Sequence, residues 1–304
     1  MDNSPAHDES QADHRVGSLA LRLVLITTGT LLIWLGVTRL TTVLWGAEMS
    51  LLQHIANAVG VFSLAVPMVL VINRYLDRRP VSALGLHAEK RAWRDFLYGA
   101  LTWLIPAGLG LTVALMFGWV EIRIDSSIAE LIGVILLLIL LVFVYEAFPE
   151  ELIFRGYIYR NLTAAVAPWV AVVIQALLFS AFGTALWVIS NGWGVFLERS
   201  VLFFGMAVVV GCVRLISGSL WAAIGFHLAF QVMMQLFLSS QYVDIEVSDE
   251  GIFTLTTAVV AFCAATTVAG LLWRGGANWT KPEPQSSEST AQAEASVRPA
   301  EGQS

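Results

Sequence analysis

The sequence predicts an all-α fold, a polytopic membrane helix bundle of about eight transmembrane helices enclosing a polar cavity, and three observations predict it. Of 304 residues, 57% are hydrophobic and only 13% are charged, whereas soluble domains carry about 25% charged residues. There are too few charges to cover a soluble globule of this length. The apolar residues also gather into eight stretches, each comparable with the roughly 20 helical residues that cross a hydrocarbon core. Finally, lysine and arginine fall into alternate loops, as they do when a chain weaves through a bilayer and keeps its basic residues on the cytoplasmic side.

The stretches run over 19–44, 51–73, 96–120, 128–148, 168–190, 199–216, 219–239 and 252–273. The first is too long for a cleaved signal peptide, follows the acidic segment "MDNSPAHDESQADHR" and lacks a small-residue cleavage site after it. Ser, Glu, Ala and Pro dominate the ends, so 1–17 and 276–304 are expected to be disordered tails around a membrane domain over 18–275. Placing both termini in the cytoplasm puts 14 of the 17 basic residues on that side and leaves Arg39, Arg123 and Arg199 outside. A multi-pass protein of the cell membrane is expected, with the lipid bilayer as its first partner. No basic patch of the kind that follows a phosphate backbone is present, which argues against nucleic acid. Cys212 and Cys263 stand singly in apolar runs without CxxC spacing and read as small buried hydrophobes.

Directly behind the apolar run "LIGVILLLILLVFV" comes "YEAFPEELIFRGYIYR", Tyr145 to Arg160. Pro149 cannot donate a backbone hydrogen bond and clashes with the carbonyl four residues back, so a kink or restart of the helix is expected there. Glu146 and Glu150 are four apart and share a face. Glu151 and Arg155 are also four apart, in the favourable acid-before-base order, so that pair can neutralise itself and leave Glu150 the freer carboxylate. Such groups could be snorkelling charges at a helix end, but acids this close to a membrane core are usually functional and face the bundle interior. The seventh stretch, "SGSLWAAIGFHLAFQVMMQLF", adds a polar stripe of His227, Gln231 and Gln235 at four-residue spacing. A histidine with two amides on one apolar helix points to a hydrated cavity.

"EELIFRG", followed much later by "SGSLWAAIGFH", resembles the first and third motifs of the CAAX-protease and bacteriocin-processing (CPBP, or Abi) family of intramembrane endopeptidases. "RPVSALGLHAEKRAWRDF" resembles that family's cytoplasmic loop, so the likeness runs from about Arg79 to Gln231. The resemblance implies an eight-helix bundle around a conical cavity open to the cytoplasm, acting on a peptide or lipidated protein. It further implies that Glu150 is the general base activating water, that Glu151 and Arg155 are its structural partners, and that His227 polarises the oxyanion.

Two positions depart from the family pattern. Its second motif is Phe-x-x-x-His, and the matching "FSAFG" has Phe179 but Gly183 in place of the histidine. A void there would be filled by water or by Trp187, one turn further on. The third motif's asparagine is Gln231, which keeps the amide but moves it by one methylene. No cofactor is expected; catalytic zinc takes about three protein ligands, and His227 with adjacent glutamates on different faces does not supply them. Besides a peptidase with an altered site, in which Glu146 or a water could stand in for the lost histidine, two alternatives remain. One is a non-catalytic relative that binds a peptide or lipidated protein. The other, less favoured because no internal repeat is visible, is a small transporter.

Overall fold

Serines and an aspartate start several of the membrane helices by accepting the backbone N–H groups that a first turn leaves unpaired. The computed structural model describes residues 5–87, 90–239 and 241–282, and of residues 5–18 the backbone only. Eight helices in it are long and apolar enough to cross a membrane. We label them α1 (Pro5–Trp45, with its apolar span over Leu19–Trp45), α2 (Leu51–Leu76), α3 (Lys90–Met116), α4 (Ile128–Thr163), α5 (Pro168–Asn191), α6 (Trp193–Ser217), α7 (Leu220–Leu238) and α8 (Glu250–Leu272). Ser50 caps α2, Ser127 and Glu130 form a reciprocal capping box on α4, and Asp249 caps α8. The tail expected over 276–304 lies, from residue 283 onward, outside the described residues.

Large apolar side chains cover the outside of the bundle: Leu32, Leu136 and Leu140 are each more than 60% exposed. In water such a surface would drive aggregation; in a bilayer it is the lipid-facing wall. The protein is therefore a multi-pass membrane protein. Cys212 is buried as expected, whereas Cys263 lies on the exposed face of α8 and packs against no core.

Close packing of α3 and α7 sets the middle of the bundle. A Cβ on Gly99 would stand 2.0 Å from the Ala222 carbonyl oxygen, and one on Gly225 would stand 2.0 Å from that of Phe96. The two helices therefore touch backbone to backbone, as small residues allow in membranes. Across the same region, Leu220 N–H donates to the Gly85 carbonyl (3.1 Å) and the Trp221 indole to the His87 carbonyl (2.8 Å). The "VSALGLH" loop is thus stapled to the first turn of α7, whose later turns carry His227.

One expectation is corrected. The fourth stretch does not end or break at Pro149: α4 continues to Thr163, with π-helical turns at Phe143–Ala147 and Leu152–Ile158. In the first of these the Phe148 N–H reaches the Phe143 carbonyl, five residues back. The widened turn makes room for the proline ring next to it, so the helix continues through Pro149 instead of restarting. The all-α expectation also gains a small exception. On the loops between helices, β1 (Ile122–Ile124) pairs antiparallel with β2 (Ile245–Val247), tying the α3–α4 connection to the α7–α8 connection.

Candidate functional site

Residues Leu152 to Ile158 of α4 are all buried in protein, so the second half of this long helix is a core element. Its leading edge carries the carboxylates. Arg155, with no solvent exposure, donates from Nη1 to Glu151 Oε1 at 2.9 Å, and its Nη2 lies 3.4 Å from the Ala207 carbonyl of α6. Its guanidinium also sits 4.5 Å from the centroid of the Phe179 ring of α5, a cation–π contact in a site closed to water. A fully buried arginine is tolerable only with partners of this kind.

Glu151 has a second partner that sequence spacing could not reveal. Its Oε1 lies 2.8 Å from His227 Nδ1 on α7. Because an ionised carboxylate only accepts, this contact assigns the Nδ1 proton to His227 and turns the other edge of the ring outward. That edge, Nε2, stands 3.9 Å from Glu150 Oε2. The imidazole is also packed edge-on against Phe179, with ring centroids 6.3 Å apart. Glu151 therefore holds two groups at once, and both belong to the site.

Glu150 differs from its neighbour. It retains 8% exposure, and its side chain accepts no hydrogen bond from any described residue. At 3.9 Å from Nε2 it is too far for a direct bond, but a small molecule lodged beside the pair can reach both. Glu146, half-buried one turn earlier, accepts from Gln235 Nε2 at 2.9 Å. One amide of the polar stripe is thus engaged with Glu146.

The second-motif position is closed. A Cβ at Gly183 would meet the Phe203 ring of α6 at 3.0 to 3.2 Å, and Phe203 also packs edge-on against Phe179. Expectation had Trp187 or water filling this space. Trp187 instead points outward beneath the Arg199 guanidinium, 3.8 Å away. It cannot do so and also cover Gly183, and the adjacent helix supplies Phe203 in its place. An apolar aromatic in an apolar run carries no signal that would single it out beforehand.

His54, a buried histidine of α2, makes its contacts with two tyrosines. Its Nδ1 lies 2.8 Å from the Tyr242 hydroxyl, and its ring packs edge-on against Tyr145. Burial pushes the Tyr242 hydroxyl pKa up.

Residues 131–233 match the family described as type II CAAX prenyl endopeptidase Rce1-like. The match covers residues 131–233 of the 304 and agrees with the CPBP resemblance that the motifs carry. The matched segment runs from α4 to α7 and contains all of Glu146, Glu150, Glu151, Arg155, Phe179, Gly183, His227 and Gln231. No curated protein matches the chain. The match supports a membrane protein of CAAX-protease type.

Proposed function

We propose that the protein is an intramembrane endopeptidase of the cell membrane, acting on a peptide or lipidated protein through a water activated by Glu150. The single observation that carries this is the pairing of an unengaged carboxylate with an oriented imidazole. Glu150 accepts no hydrogen bond from the described residues, and His227 presents Nε2 to it at 3.9 Å while Glu151 holds Nδ1.

The chemistry follows from those positions. Glu150 takes a proton from water as the oxygen attacks the scissile carbonyl carbon, then returns that proton to the leaving amine. In its imidazolium form His227 donates from Nε2 to the oxyanion, and Glu151 stabilises the positive ring from the opposite side. Arg155 balances Glu151. Glu146, one turn earlier, is held by Gln235. No residue of this chain other than these is asked to move a proton, and no metal is invoked.

Phe203 favours a second reading. Where the family places a histidine, an aromatic ring packs on Gly183, so a binding protein that retains the family scaffold without its turnover is the alternative. Purified protein reconstituted in liposomes and offered a peptide library separates the two. The peptidase reading expects cleavage that disappears in Glu150→Ala. Binding without cleavage by a folded wild-type protein would assign the non-catalytic role.

A further inference from the structure

A cavity of about 560 Å³ opens where the first turn of α3 meets the ends of α6 and α8. Arg91, Arg94 and Arg274 line it together with Tyr98, Trp273 and Asn278. One buried carboxylate opposes these three guanidinium groups. Asp95, with no exposure, lies 3.2 Å from Arg91 Nε and 3.1 Å from Arg94 Nη2, and it also accepts from the Trp273 indole at 3.3 Å. Arg91 spends one further N–H on the Ser217 carbonyl at 3.4 Å. Arg274 is exposed and has no ion pair among the described residues. Asp95 therefore orients two arginines without cancelling the cavity's positive charge.

We propose that this cavity binds the phosphate group of an anionic phospholipid. Guanidinium groups suit phosphate oxygens because their N–H donors are planar and paired, and basic pockets between helix ends are where such headgroups dock. Two observations favour a lipid over free phosphate. The cavity lies at the ends of three membrane helices, level with the first turn of α3. On that turn Trp93, beside Arg94, is 71% exposed, as an indole is when it rests at the boundary between headgroups and acyl chains. Asp95 ties the ends together, since its partners come from α3, from the close of α8 and from His87 in the loop before α3, whose Nε2 lies 3.3 Å from it. A headgroup bridging Arg91, Arg94 and Arg274 would clamp the same ends from outside.

Native mass spectrometry on delipidated, detergent-solubilised full-length protein tests the idea, with phosphatidylglycerol, phosphatidylcholine and inorganic phosphate as probes. Wild type should retain phosphatidylglycerol under activation that strips phosphatidylcholine, and excess inorganic phosphate should not displace it. Arg274→Gln, at an exposed position without an ion pair, should fold normally and lower phosphatidylglycerol occupancy about five-fold, the effect of one basic group near a lipid phosphate. Equal retention of phosphatidylcholine, or unchanged occupancy in both Arg274→Gln and Arg94→Gln, would overturn the proposal. Displacement by inorganic phosphate would overturn the lipid as the source and leave a free-phosphate site.

Discussion

Glu150 and Glu151 are neighbours in the chain and opposites in circumstance. Glu151 has no exposure and holds both Arg155 and His227, whereas Glu150 keeps an open edge and no hydrogen bond among the described residues. Removing the charge at each should therefore produce different phenotypes. Glu151→Gln strands a buried guanidinium, and breaking such a pair costs about 3–5 kcal/mol; a clear fall in the thermal midpoint in detergent is expected. Glu150→Gln should leave that midpoint nearly unchanged while lowering peptide cleavage by about two orders of magnitude or more, the usual contribution of a general base. Equal destabilisation by both substitutions would mean that Glu150 is a structural group. Gly183 carries the third residue-scale prediction. A histidine there collides with Phe203, which stands 3.0 Å from the first side-chain carbon, so Gly183→His alone should destabilise. Gly183→His with Phe203→Ala should recover the midpoint and raise cleavage above wild type, measured on the same peptide.

Helix α4 is where local structure and site geometry meet. Its π-helical turns on either side of Pro149 carry Glu146 before the proline and Arg155 after it. A π turn holds more residues than an α turn, so positions that follow it are rotated from where a spacing of 100° per residue would put them. Face assignments made from spacing survive within a turn, as in the Glu151–Arg155 pair, and do not carry across the whole segment. The α3–α7 contact is the other decisive element, because it fixes the height of His227. With Gly225 against the Phe96 carbonyl at a notional 2.0 Å, even a methyl group must push the helices apart. Gly225→Ala should lower both the folded yield and cleavage, by size-exclusion profile and peptide assay. Gly108, beside which a Cβ would meet nothing within 4 Å, serves as the control on the partner helix α3: Gly108→Ala should leave both unchanged.

For the whole molecule, the membrane placement rests on exposed leucines along every outer face, and the sidedness rests on the basic residues. Both termini are expected in the cytoplasm, with the β1–β2 pair on the opposite side. Tags at either terminus should react only from the cytoplasm, and a cysteine placed at Glu246 should label only from outside with an impermeant reagent. A terminus labelled from outside would overturn this orientation without disturbing the bundle.

Helix number, the approximate span limits other than the end of α4, and the Glu151–Arg155 pair follow from the amino-acid sequence by itself, because apolar length and four-residue spacing act within a single segment and need no partner. The motif residues were legible for the same reason: a glutamate pair and a membrane histidine are conspicuous in an apolar chain. What only the tertiary structure decided are the contacts between segments. Glu151, 76 positions from His227, turns out to be the group that orients the imidazole. Phe203, indistinguishable in sequence from any other core aromatic, closes the space at Gly183. The ladder between Ile122–Ile124 and Ile245–Val247 joins loops that no local pattern relates. Each of these depends on which faces the packed helices turn towards one another, and that is set by the backbone approach of α3 to α7 and by the widened turns around Pro149. Periodicity within one helix contains neither.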